Sequence, residues 1–191
     1  MLAAHDLSLG ILAGGRASRL GGRDKAWIER DGLPQVLRIA HRFDGECSAL
    51  LVSANRDLPR YAQNGLQAVT DRQPDLGPLG GLDALAAACT TPWLFTLPVD
   101  IVDADTTLPR TLAQAGGQGA VARDADGLQP LVALYRVDAL RAALVTALAG
   151  GEHSVRAMQA ALALPVVAFA ELRFGNLNTP ADLAAAGCTP E

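Results

Sequence analysis

The chain has 191 residues, half of them hydrophobic but only 4% aromatic, and a formal net charge of −4. That length suits one domain over 1–191 with an ample core of Ala, Leu and Val. The acidic balance excludes a surface that coats nucleic acid, and no apolar run reaches the ~18 residues of a membrane span.

The chain starts MLAAHDLSLG, with a histidine and an aspartate ahead of any apolar run, unlike a signal peptide. Cys47, Cys89 and Cys188 are odd in number and lack the paired spacing of a zinc site, so they read as buried hydrophobes in a reducing compartment. The expectation is a soluble, cytoplasmic protein with neither nucleic acid nor membrane as partner.

Strand-like apolar runs alternate with helical segments. A strand over 7–13 is followed by a helix near 34–44 and a strand over 48–54. The run 66–71 precedes a helix near 79–89, and 92–100 precedes one near 106–115. The pair 119–124 and 131–137, joined through DADGLQP, predicts an antiparallel excursion. A helix near 138–148, a strand over 165–172 and a helix over 180–186 complete the chain. The pattern predicts an α/β fold: one Rossmann-like, doubly wound, mainly parallel sheet with helices on both faces.

In such sheets ligands bind beyond the carboxyl ends of the strands, near a topological switch point. After the first strand comes ILAGGRASRLGGRDK (11–25), with four glycines, three arginines and a lysine. Glycines let backbone N–H groups approach an anion, and the basic side chains balance a polyphosphate. The loop fits neither the Walker pattern nor G-x-G-x-x-G, since Gly14 and Gly15 are adjacent and Lys25 comes ten residues after Gly15. Lys25 could follow charge onto a transferring phosphoryl group, and Arg19 could share that task; Arg16 and Arg23 could simply be solvated.

Later strand ends also carry polar groups. Asp71 could bond a base or ribose, join a metal shell, or lead a turn. Gly77-Pro78-Leu79-Gly80-Gly81 opens a helix, where it could receive a ligand or form a plain tight turn. Asp100 suits Mg²⁺, which takes oxygen ligands and bridges one or two carboxylates to phosphates, but it could equally cap a helix. Asp103 and Asp105 are candidate caps for the helix near 106–115. Thr179 before Pro180 reads as a cap, which leaves Asn176 and Asn178 unexplained. His5, His41 and His153 share no metal spacing.

The ordered set LAGGRASRLGGRDK, SANR, TD, GPLGGL, LPVD, QP-LVALY and NLNTP resembles the molybdenum cofactor guanylyltransferases, or MobA-like proteins, over about residues 8–187. The resemblance implies transfer of GMP from Mg·GTP to the terminal phosphate of molybdopterin, with release of pyrophosphate. It implies a nucleotide site of Leu12, Ala13, Gly14, Gly15, Lys25, Ser53, Asp71, Gly77, Gly81 and Asp100. It also implies catalytic roles for Lys25, Arg19 and Asp100, Mg²⁺ on Asp100, and Asn176 and Asn178 on the pterin side. Other cofactor-biosynthesis proteins and acceptor molybdoenzymes are the implied partners. Ser53 stands where the family often has Asn, and Pro98-Val99-Asp100-Ile101-Val102 where it usually has Pro-Cys-Asp-x-Pro. Alternatives are a cytidylyltransferase or sugar-phosphate nucleotidyltransferase of the same superfamily, or a relative that binds nucleotide without chemistry.

Overall fold

The structure, a computed structural model, describes residues 2–14 and 24–189. In chain order the elements are β1 (Leu7–Leu12), β2 (Glu29–Arg30), β3 (Leu33–Pro34), α1 (Gln35–Arg42), β4 (Ala49–Ser53), α2 (Leu58–Gln63), β5 (Gln67–Val69) and α3 (Pro78–Ala88). They continue with β6 (Trp93–Pro98), α4 (Leu108–Ala113), β7 (Gly119–Asp124), β8 (Gly127–Arg136), α5 (Val137–Ala149), α6 (Val155–Ala161), β9 (Val166–Ala168), α7 (Pro180–Ala185) and β10 (Cys188–Thr189).

Among the described residues, seven strands form a sheet in the order β5-β4-β1-β6-β8-β7-β9. All of its neighbours pair in parallel except β6 with β8 and β8 with β7. The mainly parallel sheet with one antiparallel excursion is thus the expected fold. From β1 the chain winds outward through β4 to β5, then returns to β6 on the other side of β1. The carboxyl end of β1 is therefore the switch point, where flanking connections leave in opposite directions and open a crevice.

All six residues of β1 are buried, as a central strand requires. Strand alternation sends Leu9 and Ile11 to one face and Leu12 to the other. On the first face they join Phe95 and Leu97 against Val36 and Ile39 of α1 and Leu108 and Leu112 of α4. On the second, Leu51, Leu94 and Tyr135 pack on Leu82 and Leu85 of α3, Leu140 and Leu144 of α5 and Met158 of α6. Each fully buried leucine contributes about 1.5–3 kcal/mol. Helix α1 shows how the sequence chooses the face: Val36 and Ile39 point inward, and His41 and Arg42 in the last turn complement its dipole.

The structure departs from the sequence expectation at several elements. Helices α2 and α6 and the three-stranded sheet β10-β2-β3 were not foreseen. The strand expected over 165–172 is confined to Val166–Ala168, and the helix expected over 106–115 to Leu108–Ala113. Strand β8 begins at Gly127 rather than 131 and runs through Pro130. A proline lacks the N–H a ladder needs, and here the register breaks: Val121 pairs with Ala133 but Ala122 with Gln129. The bulge absorbs residues 130–132, and side chains collect its carbonyls, Gln159 Nε2 donating to Pro130 O and Thr96 Oγ1 to Leu131 O.

Candidate active site

The backbone ladder runs past the strand ends: the Ala13 amide donates to Ser53 O, Val99 to Leu12 O and Ala54 to Val69 O, all at 2.9–3.0 Å. These bonds hold the ends of β1, β4, β5 and β6 together at the switch point. There lies a cavity of about 170 Å³. Leu12, Ala13 and Gly14 line it from β1, Ser53 from β4, Asp71 from beyond β5, and Asp100 from beyond β6; Gly77 and Gly81 enter from the start of α3, and Lys25 from the first connection. The lining thus gathers nine of the expected nucleotide-site residues. Gly15 lies outside the described residues, as do Arg16, Arg19 and Arg23. A second depression of about 730 Å³ shares Gly14, Asp71, Gly77 and Pro78 with the first and continues toward Asn55 and Arg56.

The glycines of α3 bring its backbone close to the strand ends. A Cβ at Gly81 would meet Ser53 Oγ at 2.6 Å and Leu12 Cδ2 at 3.0 Å; one at Gly80 would meet Asp71 Oδ2 at 3.2 Å. Gly77 holds φ at +57°, and no side chain caps the helix that follows. Pro78 brings no N–H to the first turn and the Gly80 amide donates to Gly77 O at 3.1 Å, so it is the positive dipole end of α3 that favours an electron-rich ligand here.

Lys25 Nζ donates to Asp100 Oδ2 at 2.8 Å and also to Asn178 Oδ1. Both partners of the ion pair are about four-fifths shielded from solvent, Lys25 at 22% and Asp100 at 19% exposure. One ammonium thus joins the first connection, the end of β6 and the segment before α7. Asn178 reaches the cavity's cation, whereas Asn176 is exposed and its backbone bridges Ile101. Thr179 forms a capping box with Asp182, as its position suggested.

Backbone bonds hold the segment after Asp100. Val102 and Asp103 amides donate to Phe174 O, the Leu177 amide donates to Asp100 O, and buried Gln35 Nε2 donates to Ile101 O at 2.5 Å. Neither Asp103 nor Asp105 caps α4: Thr107 holds the N-cap position with no side-chain bond, and Asp105 instead accepts from the Thr107 amide at 2.7 Å in the turn just before the helix.

Three contributors are not singled out by sequence reasoning, although Asp24 lies within the opening motif. Asp24 lines the cavity and accepts from the Ala26 amide at 2.9 Å, capping the short turn that carries Lys25. Burial pushes its carboxyl up, the Ala26 bond opposes this, and the Asp57 charge adds to the rise. Leu131 reaches the lining from the bulge of β8, which no periodicity signals. Asp124, buried at the hairpin turn, accepts from Gln129 Nε2 and the Asp126 amide at 3.0 Å and from the Phe174 amide at 2.9 Å. It thereby seats the strip that holds the Asp100 loop.

Burial would raise the Asp124 carboxyl, but bonds from Gln129, Phe174, Asp126 and Gly127 outweigh it and hold the group below its usual value. A depressed folded pKa means stability present above the unfolded value near 4 and lost as pH falls through the folded one. Asp124→Asn is therefore less stable than wild type at pH 7, and the gap narrows below about pH 4. Urea unfolding from pH 7 to 3 tests this; a gap constant across that range contradicts it.

Known proteins share this fold. The solved structure of molybdopterin-guanine dinucleotide biosynthesis protein A from Archaeoglobus fulgidus superposes with a TM-score of 0.70 at 19% identity, covering 94% of this chain and 96% of that one. A 2-C-methyl-D-erythritol 4-phosphate cytidylyltransferase from Thermus thermophilus gives the same TM-score at 20% identity, with the same coverage. At these identities the likeness establishes the fold, that of the nucleotidyltransferases. A molybdenum cofactor guanylyltransferase from Cupriavidus taiwanensis is 38% identical over 97% of this chain and 98% of its own length. Residues 9–165 match the model of the MobA-like NTP transferase domain. The chain belongs to that family of nucleotidyltransferases. Among the described residues, no helix is long and apolar enough to cross a membrane.

Proposed function

We propose that the protein transfers GMP from Mg·GTP to molybdopterin, releasing pyrophosphate and forming the guanine dinucleotide cofactor. The observation that carries this reading is Lys25 joined at once to Asp100 at the switch point and to Asn178 of the last loop. A group suited to a triphosphate thereby meets, in one place, the segment proposed for the pterin.

The acceptor's phosphate oxygen attacks the α-phosphorus of GTP. A P–O bond forms to the acceptor, the α–β bridge bond breaks, and pyrophosphate leaves with that electron pair. No covalent enzyme intermediate is needed, so the protein's work is positioning and charge stabilisation. Leu12, Ala13, Gly14, Gly15, Ser53, Asp71, Gly77 and Gly81 hold the nucleotide in this reading. Lys25, with Arg19 assigned from its place in the motif, stabilises the departing pyrophosphate. Asn176 and Asn178 face the pterin.

Asp100 is the proposed Mg²⁺ ligand. Among the described residues no cluster of three or more His, Cys, Asp or Glu could cage a metal. A hard carboxylate at the end of β6, facing the cavity, fits an ion that completes its shell with substrate phosphates and water. When bound, Mg²⁺ supplies neutralisation of triphosphate charge. The chain acts as one cytoplasmic domain, with other cofactor-biosynthesis proteins and acceptor molybdoenzymes as partners of its product.

Pyrophosphate release measured with each NTP in the presence of molybdopterin tests the reading. Release with GTP supports it, preference for CTP makes the protein a cytidylyltransferase, and GTP binding without release removes the chemistry. Lys25→Ala should lower kcat about 10²-fold, more than it raises KM, because its contact strengthens as charge moves to the leaving group. A rise in KM alone would reduce Lys25 to ground-state binding.

A further inference from the structure

Two oxygens at the nucleotide cavity are buried with no hydrogen-bond partner among the described residues, Ser53 Oγ and Asp71 Oδ1. An unpaired buried acceptor is costly, and it rejects any ligand that fails to supply its missing donor. The other oxygen of the same carboxylate is committed: Asn55 Nδ2 donates to Asp71 Oδ2 at 2.9 Å. Asn55 Oδ1 in turn accepts from the Asp71 backbone amide at 2.9 Å. The Asn55 amide thus grips both the main chain and the carboxylate of Asp71, tying the connection after β4 to the one after β5.

The surroundings leave the carboxylate little freedom. Gly80 sits so close that a Cβ there would lie 3.2 Å from Asp71 Oδ2 and 3.3 Å from Cγ. Gly14 packs beside the carboxylate's partner: a Cβ there would lie 3.7 Å from both Asn55 Nδ2 and Ser53 Oγ. Asn55 itself is exposed and makes no contribution to the core.

We propose that Asn55 is a positioning residue for base selection: it fixes Asp71 so that Oδ1 accepts from a base edge carrying N–H donors. An ionised carboxylate only accepts. Guanine offers adjacent N1–H and 2-amino donors on its Watson–Crick edge, whereas adenine presents an N1 acceptor there that the carboxylate repels. This deepens the GTP reading above and rests on it.

The test compares GTP with ATP, by equilibrium binding and by KM and kcat for pyrophosphate release, in wild type, Asn55→Ala, Asn55→Asp, Asp71→Ala and the double variant Asn55→Ala/Asp71→Ala. Asn55→Ala is expected to lower the GTP-over-ATP preference about tenfold, through affinity and KM for GTP rather than kcat, as for loss of a bond to a charged group. Asn55→Asp keeps the shape but sets a like charge against Asp71, and lowers the preference at least as far. In the double variant, loss of Asn55 adds nothing to loss of Asp71. An unchanged GTP-over-ATP ratio in Asn55→Ala overturns the proposal, and so do losses that simply add. A wild-type protein that binds GTP no better than ATP overturns the reading beneath it and the proposal with it.

Discussion

Asp100→Ala is expected to lower kcat by about 10³-fold or more while leaving the fold intact. The separation follows from how the structure divides the work of this segment. Its backbone is held by the Phe174 carbonyl, by the Leu177 amide on Asp100 O and by Gln35 on Ile101 O, none of which uses the Asp100 carboxylate. Among the described residues the carboxylate's partner is Lys25, which keeps Asn178 as a second acceptor when Asp100 is removed. The variant therefore loses its proposed metal ligand and its constraint on Lys25, but not its main-chain anchors. Pyrophosphate release over a range of Mg²⁺ concentrations, beside a thermal melt, measures both halves. Near-wild-type, Mg²⁺-dependent turnover would remove Asp100 from the mechanism. A collapse of the melt would give it a structural role instead.

The largest effect on stability is expected at Gly119, where β7 opens against Tyr135 of β8. Gly119 holds φ at +125°, and a Cβ there would lie 1.9 Å from Leu134 O and 2.8 Å from Leu134 C. These atoms belong to the backbone of a ladder inside the sheet, so no rotamer change relieves the clash. Gly119→Ala should cost about 4 kcal/mol or more, combining strain with displacement of β8. For a chain of this length that lowers Tm by on the order of 10 °C. Gly127 supplies the control: its φ is +127°, yet a Cβ there meets nothing within 4 Å. Gly127→Ala carries the conformational strain alone and should lose markedly less. Equal losses at the two sites would assign the whole effect to backbone conformation.

The elements legible in the sequence are those whose burial leaves a pattern. β1 and β6 read as continuous apolar runs because both of their faces are covered, and α5 is read nearly in full, except that Val137, expected as the last residue of the strand, opens the helix. Where packing or pairing decides, the pattern is silent. Strands of two residues, such as β2, β3 and β10, are too short for alternation to register. β8 conceals its first half because Pro130 reads as a break, while the fold turns that break into a bulge. The opening motif and the aspartates after β5 and β6 stood out as candidates because charge directly after a buried strand is a local signal.

Local sequence patterns specify the alternation of strands and helices, the phosphate-suited glycine and lysine motif, and the polar ends of successive strands. Each is a property of neighbouring residues, read from hydrophobic period and residue type. Tertiary structure alone decided which of those ends meet. The reversal of winding at β1 brings Lys25, Asp100 and Asn178 within hydrogen-bond reach across 153 residues of chain. It also decided that Asn55 grips Asp71, that Gly81 must be small beside Ser53, and that Asp124 seats the strip beneath the Asp100 loop. These are long-range contacts, and their geometry follows from strand order and register, which no local pattern encodes.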